Sequence, residues 1–123
     1  MSDIDQAREA SRDVYASGQT QHEAKWTHEL LGGAAAFEGV KLWEDHQRSQ
    51  GKPVSHSFAK EALAGIVGAT VDRLVETKGL DKLDEEKARR HAHKTAENIY
   101  DNHYGGHDQY DPNKRERPNF DGN

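Results

Sequence analysis

Gly32-Gly33-Ala34-Ala35-Ala36-Phe37-Glu38-Gly39 and Ala62-Leu63-Ala64-Gly65-Ile66-Val67-Gly68-Ala69 decide the fold class. Both stretches lie in segments with helical periodicity, and both are dominated by side chains too small to hold a neighbouring helix at a distance. A glycine inside a helix costs roughly 1 kcal/mol relative to alanine, so repeated glycines there point to close backbone packing. We read Gly32, Gly33 and Gly39 on one helix and Gly65 and Gly68 on another as packing seams of an all-α domain.

Around the first seam, Trp26, Leu30, Gly33, Phe37 and Val40 share one helical stripe, while Leu31, Ala35 and Leu42 share another on roughly the far side. Burial on two sides marks a central helix. Thr20-Gln21-His22-Glu23 matches a capping box and predicts where it starts; Gly51-Lys52-Pro53 predicts where it stops. Ser55 or Ser57 caps a second helix over about Phe58 to Thr77, with Leu63, Val67, Thr70, Val71 and Leu74 on its inner face and Glu61, Gly65, Asp72 and Glu76 opposite. Asp84, Glu85 and Glu86 favour the start of a third helix that runs to about Tyr104. Its inner face is weak: Ala88, Ala92, Thr95 and Ile99, flanked by His91 and His103.

The expected architecture is therefore a compact bundle of three principal helices. Ile4, Ala7, Ser11, Val14 and Tyr15 mark a short N-terminal helix that either docks on the bundle or frays. We divide the chain into an N-terminal segment over 1–19, a helical bundle domain over 20–104 and a disordered polar tail over 105–123. The tail, from His107 through Pro118, shows no period and few large apolar residues.

Composition narrows the function classes. Ile, Leu, Val and Phe make up only 19 of 123 residues, a fraction that suggests disorder in highly charged chains, but the net charge here is only -5. Mixed signs with an acidic excess give no basic field for nucleic acid or anionic lipid. With no cysteine there is no disulfide framework and no thiolate site, which makes the cytoplasm the default location. The acidic, polar start and the lack of any long uncharged stretch argue against a secretory signal and against stable membrane insertion.

Eight histidines are the second unusual feature, since neutral imidazole binds Zn, Cu and Ni. His22 and His28 lie about 120° apart round a helix, His91 and His93 about 200°, and His28 and His46 are separated by about 27 Å of helix. None of these pairs chelates from one face. The best cluster gathers Asp101, His103, His107 and Asp108 around a Gly105-Gly106 hinge, with His91 as a more distant candidate, although no standard zinc signature covers it. Glu38, among Gly and Ala, is the candidate buried acid, with His91 or Arg73 as its counter-charge. No nucleophile–base pair or phosphate-binding loop accompanies it. Trp26, Phe37, Trp43 and Phe58 read as core anchors.

Taken together, His22-Glu23-Ala24-Lys25-Trp26, Gly33-Ala34-Ala35-Ala36-Phe37-Glu38, Gly51-Lys52-Pro53-Val54-Ser55-His56, Ala64-Gly65, Glu76-Thr77-Lys78-Gly79 and Glu86-Lys87-Ala88-Arg89-Arg90-His91-Ala92 resemble the CipC-like antibiotic-response proteins of fungi, over roughly residues 13 to 104. The resemblance implies a small intracellular protein associated with antibiotic treatment and stress. It carries no catalytic residue set to transfer, and no cofactor is predicted. The leading expectation is a non-catalytic protein acting by binding or self-association, either a homodimer with a seam at Gly32, Gly39, Gly65 or Gly68 or a complex with another protein. The alternatives are a histidine-based protein holding Cu, Zn, Ni or haem, and a small enzyme using Glu38 with a histidine.

Overall fold

The computed structural model describes residues 2–17, 27–78 and 82–122. Four helices follow one another: α1 (Asp3–Ser17), α2 (His28–Gln50), α3 (His56–Lys78) and α4 (Lys82–Tyr104). The N-terminal helix docks on the bundle. The central helix begins later than its sequence predicts. Thr27 is its cap, extended at φ -88° and ψ 157°, with a hydroxyl that accepts the Leu30 amide at 3.0 Å. The capping box at Thr20–Glu23 lies outside the described residues. At the other end Gly51 takes the left-handed conformation, φ 67°, and donates its N–H to the Arg48 carbonyl at 3.1 Å. Ser55 starts α3 by accepting the Phe58 amide at 3.1 Å.

Helix α2 packs against the other three helices, α3 and α4 pack on each other, and α1 also touches α4. Every residue from Leu31 to Phe37 is buried, so α2 has almost no outer face in its first half. Its three glycines each admit a different neighbour. A Cβ on Gly32 would stand 2.8 Å from His91 Cδ2 on α4, one on Gly33 2.9 Å from the Ala10 methyl on α1, and one on Gly39 2.7 Å from Val67 Cγ2 on α3. The expected homodimer seam at Gly32 and Gly39 is thereby corrected: both glycines are covered by helices of their own chain. Gly68 is buried near Arg89 and His93, whereas Gly65 is exposed and has nothing within 4 Å of where its Cβ would be.

The inner face of α3 is as its pattern predicts, with Leu63, Val67, Thr70, Val71 and Leu74 buried. On α4 the buried face is richer than expected, adding Ala96, Tyr100 and Tyr104 to Ala88, Ala92 and Ile99. Two assignments fail. Phe58 is 55% exposed at the start of α3, and Leu42 is 43% exposed on α2. Both sit at helical spacing from apolar residues but at the edge of the stripe, where no neighbouring helix covers them.

The largest correction concerns residues 105–122, which are a packed strap across the bundle and not a disordered tail. Tyr110 pairs with Val54 in an isolated antiparallel bridge, through backbone bonds of 2.9 and 3.0 Å. Tyr110, Pro118 and Phe120 are buried, and Phe120 meets Phe37 edge-on at 5.6 Å. Three isolated side chains fill gaps in the bundle, and averaging over the polar residues between them hides that signal in the sequence.

The seam predicts opposite outcomes for two glycine-to-alanine substitutions in urea denaturation. Gly39→Ala is expected to destabilise by about 1–3 kcal/mol through overpacking against Val67. Gly65→Ala is expected to stabilise by up to about 1 kcal/mol, because it raises helix propensity where nothing is in the way. Equal effects at the two positions would show that Val67 yields.

Candidate functional site

The polar centre of the molecule lies where α2, α4 and the strap meet. Glu44 is 0% exposed, a wholly buried carboxylate on the inner side of α2. Tyr104, from the last turn of α4, donates its hydroxyl to Glu44 Oε2 in a short hydrogen bond, and Arg48 donates Nε–H to Oε1 at 2.8 Å. Both carboxylate oxygens thus have a partner, which a buried charge requires. The same Arg48 fork reaches outward. It donates to the Tyr104 hydroxyl at 3.0 Å, to the Arg115 carbonyl at 2.7 Å and to the Pro112 carbonyl at 3.3 Å.

Burial pushes the Glu44 carboxyl above its ordinary pKa, against the opposing pull of Tyr104 and Arg48. Arg48 is only partly enclosed; burial works against its charge, but its bonds to Glu44 and Tyr104 leave its pKa raised. The Tyr104 phenol is driven well up by burial and by the neighbouring Glu44 charge, and Tyr110 is pushed up to about 12 for the same two reasons. Around this centre the rings of Trp43, Tyr100, Tyr104 and Tyr110 stack edge to face or tilted, with centroids 5.0 to 5.7 Å apart. The Trp43 indole N–H, the Gln47 side-chain nitrogen and the Tyr110 hydroxyl are buried there without a hydrogen-bond partner from the described protein.

Other side chains fasten the strap by its main chain. Arg8 of α1 donates to the carbonyls of Phe120 at 2.9 Å and Asn119 at 2.5 Å. His56 bridges the Tyr100 hydroxyl and the His107 carbonyl, each at 2.6 Å. His103 contacts the Glu116 carbonyl through Nε2 at 2.5 Å and the Arg115 guanidinium through Nδ1 at 3.2 Å. That second contact requires an unprotonated Nδ1, and burial holds the His103 pKa below its ordinary 6.5, with Arg115 and Arg48 pushing the same way. Between α1, α4 and the strap lies a cleft of about 350 Å³, with Ile4, Ile99, His103, Arg115, Pro118 and Asn119 among its walls.

The sequence-predicted site residues do not converge. Asp101 pairs with Lys60 at 2.8 Å, both ring nitrogens of His103 are engaged, His107 and Asp108 are exposed in the strap, and His91 packs against Gly32. Among the described residues no group of three or more His, Asp or Glu stands where it could hold a metal ion. Glu38 is half-buried and accepts a hydrogen bond from Ser11 at 3.4 Å. The buried acid is Glu44, which sequence reasoning missed. A signal for it existed, since the stripe through Gly33, Phe37 and Val40 continues onto Glu44 and Gln47, and Arg48 follows Glu44 at the spacing of a helical ion pair.

With this geometry in place, the family described as "Virulence factor CipC-like" matches residues 10–103. The match takes in Glu44, Arg48, His56, Tyr100 and His103 and ends before Tyr104 and the strap. No curated protein and no solved structure matches the chain.

Two tyrosine-to-phenylalanine variants separate the roles of the hydroxyls. Tyr104→Phe is expected to destabilise by about 1–3 kcal/mol, since it leaves Glu44 short of a donor, while Tyr110→Phe removes an unpartnered hydroxyl and is expected to be neutral or stabilising in the same unfolding assay. Glu44 also sets a pH trend. With its folded pKa above the unfolded one, the folded state binds the extra proton, and Glu44's contribution to stability is fully present below the unfolded pKa and lost as pH rises through the folded pKa. Wild-type stability relative to Glu44→Gln is therefore expected to increase as pH falls from neutrality, and a decrease would mean that the fold favours the ionised carboxylate.

Proposed function

This chain belongs to the CipC-like family of virulence factors, and from that premise we propose that it acts without catalysis, by binding, as a cytoplasmic protein of the antibiotic or stress response. The observation that carries the reading is the use made of Glu44. The wholly buried acid, its arginine and its tyrosine are committed to holding two helices and the strap together, and Glu44 faces no solvent. An acid or base catalyst needs an open side toward the group whose proton it moves. No helix among the described residues is long and apolar enough to cross a membrane.

The surface available for binding is the outer side of α3, where Phe58 is 55% exposed and Gly65 and Ala69 are also exposed. These residues recur at helical spacing and leave a shallow strip that another helix can approach closely. The proposed occupant is a second copy of the chain, whose own α3 offers the same self-complementary strip, as a two-fold dimer requires.

Light scattering behind size-exclusion chromatography, over a wide concentration range, tests this. The expected result is a dimer that Phe58→Asp converts to monomer with little change in melting temperature, because exposed positions contribute little to folding. A strict monomer at every concentration removes self-association through α3.

A further inference from the structure

Six side-chain bonds from the bundle aim at main-chain carbonyls of the strap, beside the strap's own side-chain bonds from Asn113, Arg115 and Arg117. Arg8 binds those of Asn119 and Phe120, Arg48 those of Pro112 and Arg115, His56 that of His107, and His103 that of Glu116. Val54 adds a two-bond bridge to Tyr110. Contacts to carbonyls recognise a backbone path whatever its side chains, and selectivity then falls to Tyr110, Pro118 and Phe120, which enter gaps, and to Arg115 and Arg117, which meet His103 and Asp45. This is the division of labour of a peptide-binding groove. Arg48, His56 and His103 lie within the family match, while the occupant lies beyond it.

The strap is joined to α4 by Gly105-Gly106. Gly106 is exposed and has no neighbour within 4 Å of a would-be Cβ, so the chain can be redirected there without disturbing the core. We propose that this end of the bundle is a receptor for a peptide segment that turns at Asp111–Arg115, occupied in cis by residues 107–120, and that the same segment of a second copy of the chain takes its place in trans. Every fastening would be kept in the exchanged form, including the Arg117–Asp45 pair at 3.0 Å, and only the hinge would differ. The choice of a second copy follows from that complementarity, since its residues 107–120 carry the same carbonyl acceptors for Arg8, Arg48, His56 and His103 and the same side chains for the Tyr110 and Phe120 gaps. In cis the tether supplies an effective concentration on the order of mM, which an added peptide must overcome.

The test uses the full chain carrying a protease site inserted between Gly105 and Gly106 and cut after folding. A fluorescein-labelled synthetic peptide of residues 107–121 is then added and followed by fluorescence polarisation. Cutting removes the tether, so the labelled peptide is expected to bind the cut protein saturably and at least about tenfold more tightly than the uncut protein. Arg8→Met, which removes the donors to Asn119 and Phe120 but leaves the Glu44 centre untouched, is expected to weaken uptake by the cut protein by at least about tenfold. No saturable binding to the cut protein overturns the proposal, as does equal binding of a scrambled peptide. A second variant does not depend on cutting: the full chain with Gly105 and Gly106 deleted cannot easily return its strap in cis and is expected to form a folded dimer in native mass spectrometry. A folded monomer with a protease-sensitive strap overturns exchange in trans. The proposal deepens the binding reading without using α3, so Phe58→Asp is expected to leave peptide uptake unchanged.

Discussion

A carboxylate with no access to water constrains the rest of this structure. An ionised Glu44 in the interior is tolerable only with donors at both oxygens, and the two that serve it come from different places in the chain. Tyr104 must arrive from the end of α4, which sets the alignment of α4 along α2. Arg48 must fold back over the carboxylate, which brings its remaining N–H groups to the level of the strap carbonyls. The position of the strap is therefore tied to the solvation of one acid.

The second organising fact is the shortage of large apolar side chains. With 19 of 123 residues drawn from Ile, Leu, Val and Phe, the chain cannot fill a wide core. It narrows the core instead. Gly32, Gly33 and Gly39 let α4, α1 and α3 approach α2 on three sides, so alanine methyl groups and backbone fill space that leucines occupy in other bundles. The remaining volume, under the strap, is filled by tyrosines and one tryptophan whose rings are large enough to bridge the wider end. Close backbone packing and an aromatic end are two answers to the same lack.

Periodicity made the helices and the α3 inner face legible, and the glycines on α2 stood out as places without a side chain. What they approach was not legible, because a Cβ-free surface looks the same whether the neighbour is another helix of the chain or another molecule. The Thr27 cap was missed because Thr20-Gln21-His22-Glu23 offered a stronger local pattern. The strap was missed for two reasons: its three buried side chains stand isolated among polar residues, and much of its fastening is from donors on α1, α2, α3 and α4 to its carbonyls, which are common to every residue and leave no mark on composition. Glu44 was overlooked because a charge in a stripe is ordinarily read as the end of the buried face. Here the stripe continues through it. The resemblance to CipC-like proteins was legible in several blocks kept in order, and the family match bears it out over residues 10–103.

The bond from Arg8 to the Phe120 carbonyl joins residues 112 positions apart. Closing a loop of that length carries a large entropic cost, and the contact gains little until the helices between have collapsed into a surface that can receive the strap. The order of assembly is thus implied by the wiring: helices first, the aromatic end next, the joining of α1 to the far end of the strap last. Opening this contact alone would free the Phe120 end of the strap while the glycine-packed interior of α2 stayed closed.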